Sequence, residues 1–159
     1  MDGSNPGLLA TDLKVTLRSI AATYGLEFGI DGSVAVRFSE LVTALARKFG
    51  RNVVILVDEY DVPMHGLEKA SALYAENQAV LRSVFQQCKA NDAFVKFCFV
   101  TGVARFNQTS LYSGPNNFTD ISMAKEFATV CGFTKEEIVR CIAEGIQAVS
   151  YTHLTLPTT

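Results

Sequence analysis

The stretch that decides the fold is Val53-Val54-Ile55-Leu56-Val57-Asp58-Glu59-Tyr60-Asp61. It opens with five consecutive branched apolar residues, which is typical of a strand buried on both faces in a parallel sheet covered by helices. Carboxylates follow at once, separated only by Tyr60. Because open α/β sheets bind ligands outside the carboxyl ends of their strands, the pattern predicts that these acids lie at a ligand-binding edge.

A buried strand that ends in two acids is also the Walker B arrangement of P-loop NTPases. In that arrangement the first acid holds Mg²⁺, directly or through its water shell, and the second polarises the water that attacks the γ-phosphate. Asp58 and Glu59 occupy these two positions. A solvated acidic turn after a hydrophobic strand produces the same pattern, and the strand alone does not distinguish the two interpretations.

Length and composition indicate one domain of a soluble globular protein. The chain has 159 residues, of which 48% are apolar and 19% charged. Its net charge of -2 gives no basic footprint for nucleic acid. No apolar run approaches the roughly 20 residues of a membrane span, and the N-terminus shows no secretory signal. We therefore expect a cytoplasmic protein without a membrane segment.

The cysteines do not predict a metal site. Cys88, Cys98, Cys131 and Cys141 form no CxxC pair, and the chain has only 2 histidines to assist them. A zinc site is therefore not expected. The four thiols are expected to stay reduced, as in other cytoplasmic proteins.

Helical periodicity and capping residues place four helices around two strands. The helices are predicted from Thr11 to a stop at Gly25, from the N-cap Ser39 to Phe49, over residues 68–88, and from a capping box at Thr134 onward. The second helix is expected to turn Leu41, Val42, Leu45 and Phe49 inward. Its basic end, Arg47-Lys48 with the nearby Arg51, is interpreted as partners of the helix dipole, with a phosphate site as the alternative.

Residues 94–100 form the second predicted strand. A helix separates it from the first strand, so the two are expected to pair in parallel through a right-handed crossover. Thr101 would then end at the same sheet edge as Asp58. The expected fold class is α/β, a parallel sheet with flanking helices, and the irregular residues 102–133 are expected to form a binding edge.

The last ten residues, 150–159, differ abruptly from the rest in being rich in threonine and free of charged residues. They are similar to tails that arise when sequencing-adapter DNA is translated, so they are interpreted as a non-native tail. The domain is accordingly expected to comprise residues 1–149.

Four motifs, in order, resemble one family. They are residues 53–61, 99–103, Ser113-Gly114-Pro115-Asn116-Asn117-Phe118-Thr119-Asp120-Ile121-Ser122, and 131–137. Together they are similar to the bacterial AAA-ATPase-like domain, which is often joined to a nuclease-like domain of the PD-(D/E)XK type. The likeness covers residues 11–148 and implies a three-layer P-loop NTPase fold that binds and hydrolyses ATP with Mg²⁺.

The resemblance also implies roles for single residues. Asp58 is the expected Mg²⁺ ligand, and Glu59 the expected base that activates water. Thr101 takes the position of a polar sensor near the γ-phosphate. Arg105 lies just beyond it and is a candidate phosphate ligand, with a surface salt bridge as the alternative. For Asp61 the resemblance implies no particular role.

One element of the family pattern is missing. A Walker A loop, G-x-x-x-x-G-K-[ST], supplies the backbone N–H groups and the lysine that hold the phosphates, and no Gly-Lys-Ser or Gly-Lys-Thr occurs in these residues. The chain is therefore expected to be an N-terminally truncated domain whose Walker A part precedes it and whose nuclease-like part follows it.

Two other functions remain open. The first is a non-catalytic module that uses a P-loop-like sheet to bind a partner protein. The second is a metal nuclease built on Asp58, Glu59 and Asp61, which lacks the lysine that such sites use.

The missing Walker A loop leads to a prediction about ATP binding. Each absent phosphate contact is a charge-assisted hydrogen bond of about 1.5–3 kcal/mol, and a micromolar affinity amounts to about 8 kcal/mol in total. Residues 1–159 alone should therefore bind ATP with Mg²⁺ only weakly. Titration with a labelled ATP tests this, and a micromolar Kd would contradict it.

Overall fold

The computed structural model describes residues 5–29, 31–103, 118–129 and 134–149. By their contacts, residues 1–118 and 119–159 form two units. The first unit holds, in chain order, α1 (Leu8–Thr23), α2 (Val34–Phe49), β1 (Val53–Val57), α3 (Ala72–Ala90) and β2 (Val95–Val100). The second unit holds α4 (Lys135–Val149). In these residues the predicted α/β class is confirmed.

The two strands pair in parallel, as predicted. Val54 lies opposite Phe97, Leu56 opposite Phe99, and Val57 opposite Val100. Their carboxyl ends therefore lie side by side at one edge of the sheet. This edge is where the sequence places Asp58 and Thr101.

Only one face of this sheet is covered in the described residues. Ile55 on β1 packs with Val42 of α2 and Cys88 of α3. On the other face, Val54 is 50%, Leu56 71% and Phe97 54% exposed. Within residues 5–29, 31–103, 118–129 and 134–149, the expectation that β1 is buried on both faces is therefore wrong, because the helices there pack against one face. One layer of helices on one sheet is consistent with part of a three-layer α/β fold.

The helix boundaries follow from local capping. The Ser33 hydroxyl accepts a hydrogen bond from the Val36 N–H, so α2 begins at Val34, and Gly50 ends it in the left-handed conformation with φ 60°. Similarly, the Ser71 hydroxyl accepts from Tyr74 N–H and starts α3. The capping box at the start of α4 is confirmed, since the Thr134 N–H donates to Glu137 and the Glu137 N–H donates to the Thr134 hydroxyl. The hydrogen bond from the Thr134 N–H, followed by an interaction with the Thr134 side chain, lowers the pKa of the Glu137 carboxyl.

Two details of the second helix differ from the expectation. Ser39 is not its N-cap; it lies inside the helix and its hydroxyl donates to Asn91 Oδ1 over 3.0 Å. Phe49 was expected to face inward, but it is 53% exposed and contacts the ring of Tyr24 edge-on. Ser39 lies inside the helix because the N-cap is Ser33, six residues earlier than predicted. Phe49 is exposed because the helix packs through a face that contains Leu41, Val42 and Ala46.

Cys88 and Cys98 join α3 to β2 through a sulfur–sulfur contact of 3.7 Å. Both thiols are free, as is that of Cys141, while Cys131 lies outside the described residues. The contact with Cys98 and burial together raise the pKa of Cys88, and the contact with Cys88 lowers the pKa of Cys98. A thiol pair of this kind favours ionisation of the more accessible sulfur, that of Cys98.

Phe85 should contribute much more to stability than Phe49. Phe85 on α3 is 2% exposed, and its ring meets those of Tyr60 and Phe118 edge-on. The ring centroids lie 6.1 Å apart for Tyr60 and 6.0 Å apart for Phe118. Phe85→Ala is expected to lower the free energy of unfolding by about 3–5 kcal/mol. The matched change Phe49→Ala should cost about 1 kcal/mol or less. Urea denaturation followed by circular dichroism measures both, and equal costs would contradict this description of the core.

Candidate functional site

The hydrogen bonds of the sheet continue past the ends of both strands. The Thr101 N–H donates to the Val57 carbonyl over 2.8 Å, and the Tyr60 N–H donates back to the Thr101 carbonyl over 3.0 Å. Thr101 therefore lies directly against the turn that follows β1. The two predicted site regions, 43 residues apart in sequence, are in contact.

Asp58, Glu59 and Thr101 are joined by hydrogen bonds at this edge. The Thr101 hydroxyl donates to Asp58 Oδ1 and accepts from the Glu59 N–H over 3.3 Å. Asp58 and Glu59 are exposed, and Thr101 is half-buried. One hydroxyl thus orients the carboxylate of the first acid and fixes the backbone of the second.

The backbone at Glu59 is unusual. In the part of the chain that the structure describes, Glu59 is the one residue other than glycine with a positive φ, at 51°. A side chain in this left-handed region costs of order 1–3 kcal/mol, and such residues persist where their surroundings hold them in place. Here the bond from its own N–H to Thr101 does so, and this strained turn separates the exposed acids from the buried Tyr60.

Tyr60 anchors the turn in the core. Its side chain is buried, and it packs with Leu9, Met64 and Phe85 in one apolar cluster. The acids before it remain in solvent while the ring after them is held by α3. This alternation keeps the turn close to the end of β2.

The family resemblance implied no role for Asp61, and the structure buries it completely, at 0% exposure. Its Oδ1 and Oδ2 accept from the Val103 N–H at 3.3 and 3.2 Å, and its Oδ2 lies 2.9 Å from Nε2 of His65. The presence of a third acid so close to the first two was visible in the sequence. Its burial was not visible there, because it depends on a contact with Val103, 42 positions away.

These contacts remove Asp61 from the proposed nuclease cluster. A metal ligand needs a carboxylate oxygen that faces the ion, whereas Asp61 is enclosed and bonded to the main chain. Within the described ranges, no three His, Cys, Asp or Glu side chains come together as ligands for a metal ion. The geometry therefore does not favour the metal-nuclease hypothesis.

Asp58 is nevertheless suited to a magnesium nucleotide. Mg²⁺ is commonly bound by one or two carboxylates, with phosphate oxygens and water completing its shell. The exposed Asp58 carboxylate, oriented through one oxygen by Thr101, is a donor of this kind. The residues present fit a metal that arrives with its nucleotide better than one held by protein ligands alone.

The basic residues that the sequence singled out are Arg105 and the end of α2. Arg105 lies outside the described residues, as do residues 104–117 and 130–133 of the expected binding edge. Lys48 donates to the carbonyls of Tyr24 and Gly25 at the end of α1, over 2.5 and 3.4 Å. The Arg47 guanidinium lies 5.8 Å from the ring centroid of Phe94. These contacts favour a structural interpretation of the basic end of α2 over a phosphate site.

A groove of about 690 Å³ lies beside the end of α1. Arg18, Glu27 and Asp31 line it together with apolar residues, and none of the acids of the β1 turn does. Its mixed charge indicates no particular ligand class.

Among the helices of the described residues, none combines the length and the apolar composition that a membrane span requires.

Comparisons with known proteins agree with the motifs. A family model described as a predicted AAA-ATPase, AAA-ATPase-like, matches residues 3–112, which include both strands, the acids and Thr101. An Azotobacter chroococcum mcd 1 protein named "Uncharacterized protein in vnfD 5'region" is 36% identical over 102 residues. These make up 64% of this chain and 20% of that protein, so the chain spans about a fifth of the relative's length. No solved structure matches the chain.

The family model covers well over half of the chain, and the two strand-end motifs that carry the resemblance fall inside its range. The chain therefore belongs to the AAA-ATPase-like family.

Proposed function

We propose that this chain is part of a longer protein, and that the longer protein binds and hydrolyses ATP at the sheet edge formed by Asp58, Glu59 and Thr101. The observation that carries the proposal is the Thr101 hydroxyl, which bonds to the side chain of one acid and the backbone of the next. Membership of a family of predicted AAA-ATPases supports it.

Asp58 is proposed to hold Mg²⁺. It follows β1 directly, is exposed, and has one carboxylate oxygen fixed by Thr101. The bound ion would supply positive charge that neutralises the β- and γ-phosphate oxygens. The contribution of the chain is an oriented oxygen ligand at the carboxyl edge of a parallel sheet.

Glu59 is proposed to orient and activate the attacking water. Its carboxylate is exposed one residue beyond Asp58, on a backbone that its surroundings hold in a strained conformation. Such strain at a candidate site is consistent with a side chain whose position matters for chemistry. Thr101 would sense the γ-phosphate through the hydroxyl that now joins the two acids.

Further parts of the proposal concern residues and domains beyond this geometry. Arg105 is proposed as a phosphate ligand, and the phosphate-binding loop is proposed to come from elsewhere in the longer protein. A cytoplasmic location and association with a PD-(D/E)XK nuclease-like domain also remain predictions.

A non-catalytic interaction module is the second candidate function. The observation that favours it is the apolar sheet face formed by Val54, Leu56 and Phe97, each at least half exposed. An exposed apolar face of this kind can be covered by a partner protein, or by a further layer of helices of the same fold. The two functions differ in whether Glu59 matters for turnover.

Glu59→Gln should separate them. In the longer protein, this change keeps the size of the side chain but removes its ability to accept a proton. Turnover of ATP should fall by at least about 100-fold while ATP binding is retained. Glu68→Gln, the same change at an exposed position before α3, is the matched control and should turn over ATP like the wild type.

Turnover and nucleotide binding are measured for the three proteins in parallel. Equal turnover in wild type and Glu59→Gln would reject the catalytic role of Glu59 and favour the interaction module. A loss in both variants alike would show that the effect is not specific to the site.

Metal binding by Asp58 can be tested in residues 1–159 with ATP present in excess and Mn²⁺ as a paramagnetic probe for Mg²⁺, because paramagnetic broadening detects even weak binding of a metal nucleotide. The amide resonances of Glu59, Tyr60 and Thr101 should lose intensity at the lowest Mn²⁺ concentrations, because they surround Asp58. Asp58→Asn should abolish this selectivity, whereas Asp92→Asn, an exposed acid ahead of β2, should not. Broadening that is unchanged in Asp58→Asn would reject the assignment.

A further inference from the structure

We propose that Asp61 is the positioning residue of this site. Its buried carboxylate ties the segment after β2 to the turn after β1, and this tie keeps the Thr101 hydroxyl on Asp58. The consequence for turnover rests on the proposed function. The tie itself is a property of this chain and is testable without nucleotide.

The first argument is the environment of the carboxylate. A fully buried carboxylate is costly unless hydrogen bonds compensate it, so its partners are held strongly. For Asp61 these include the Val103 N–H, within reach of both oxygens, and Nε2 of His65. His65 belongs to the same short segment as Asp61, whereas Val103 lies in the segment that follows β2. The bond to Val103 therefore joins the turn after β1 to the segment after β2.

The second argument is the register of that bond. The Tyr60 N–H donates to the Thr101 carbonyl, and the next residue, Asp61, accepts from the Val103 N–H. Residues 101 and 103 are thus held by residues 60 and 61 in turn. The main chain on both sides of Gly102 is fixed, and Thr101 has little freedom to leave Asp58.

The third argument is the space at Gly102. A Cβ built on Gly102 would lie 2.5 Å from Cε1 of Tyr60 and 2.7 Å from Oδ1 of Asp61. Both neighbours are buried, so neither yields easily. The two strand ends approach as closely as a glycine permits, and a side chain there would force them apart.

Asp61 acts through Thr101 and not on the substrate. Its side chain is enclosed, and the exposed acids at this edge are Asp58 and Glu59. The chain of contacts runs from Asp61 to Val103, along the main chain to Thr101, and from the Thr101 hydroxyl to Asp58. Loss of the first contact should loosen the last.

The test is amide hydrogen exchange by NMR in residues 1–159, with Asp61→Ala, Asp61→Asn and Gly102→Ala. In Asp61→Ala, the amides of Tyr60, Thr101 and Val103 should exchange at least about tenfold faster, because the acceptor that holds the Val103 N–H has been removed. Amides of α3 should keep their wild-type rates.

Asp61→Asn retains one oxygen that accepts from Val103 and should restore part of the protection. Asp92→Ala is the matched control and should resemble the wild type.

Gly102→Ala disturbs the same contact without changing the charge of Asp61, so it keeps the proposal testable if Asp61→Ala does not fold. It should produce the same local loss of protection. Unchanged exchange at Thr101 and Val103, or an equal loss at every amide of the chain, would overturn the proposal.

The readouts also separate this inference from the proposed function. In the longer protein, Asp61→Asn should lower kcat with little effect on KM for ATP, because it displaces Thr101 without removing a substrate contact. Should the longer protein lack ATPase activity, the exchange result still stands. Should exchange be unaffected, the positioning role is rejected whatever the turnover.

Discussion

Hydrogen bonds that run beyond the ends of two parallel strands hold the candidate site together. The Thr101 N–H bonds to Val57, and the Thr101 carbonyl accepts from Tyr60, so the end of β2 lies against the turn after β1. The acids then share a hydroxyl that no residue near them in sequence supplies. Without the parallel pairing, Asp58 and Thr101 would lie at opposite edges of the sheet.

In the turn after β1, successive side chains lie in different environments. Asp58 and Glu59 stay in solvent, while Tyr60 and Asp61 are buried. The positive φ at Glu59 marks the point where the chain changes direction. Tyr60 gains apolar contacts with α3, and Asp61 gains hydrogen bonds, and together these offset the strained backbone.

The helices support this turn from one side of the sheet. Phe85 connects α3 to Tyr60, and Val42 and Cys88 meet Ile55 beneath the strand. The opposite face of the sheet, with Leu56 and Phe97, stays open in the described residues. A strand of five apolar residues predicts burial on both faces, but the sequence of a strand does not specify which other elements cover it.

Local patterns determined much of this chain by themselves. The apolar run before Asp58, the capping box at Thr134 and the helix between the strands were sufficient for an α/β fold with a parallel pair, because periodicity and capping depend on residues near one another in sequence. The family also followed from the sequence motifs, and the family model confirms it. The proximity of Asp58 and Thr101 followed from the parallel pairing alone.

Tertiary structure decided the remainder. It buried Asp61 against Val103, 42 residues away, and gave Ser39 a partner in Asn91, 52 residues away, in place of a capping role. It also left Phe49 exposed, since the packing of α2 depends on which of its faces meets β1 and α3. Contacts of this kind depend on how distant elements pack against each other, and no local pattern carries that information.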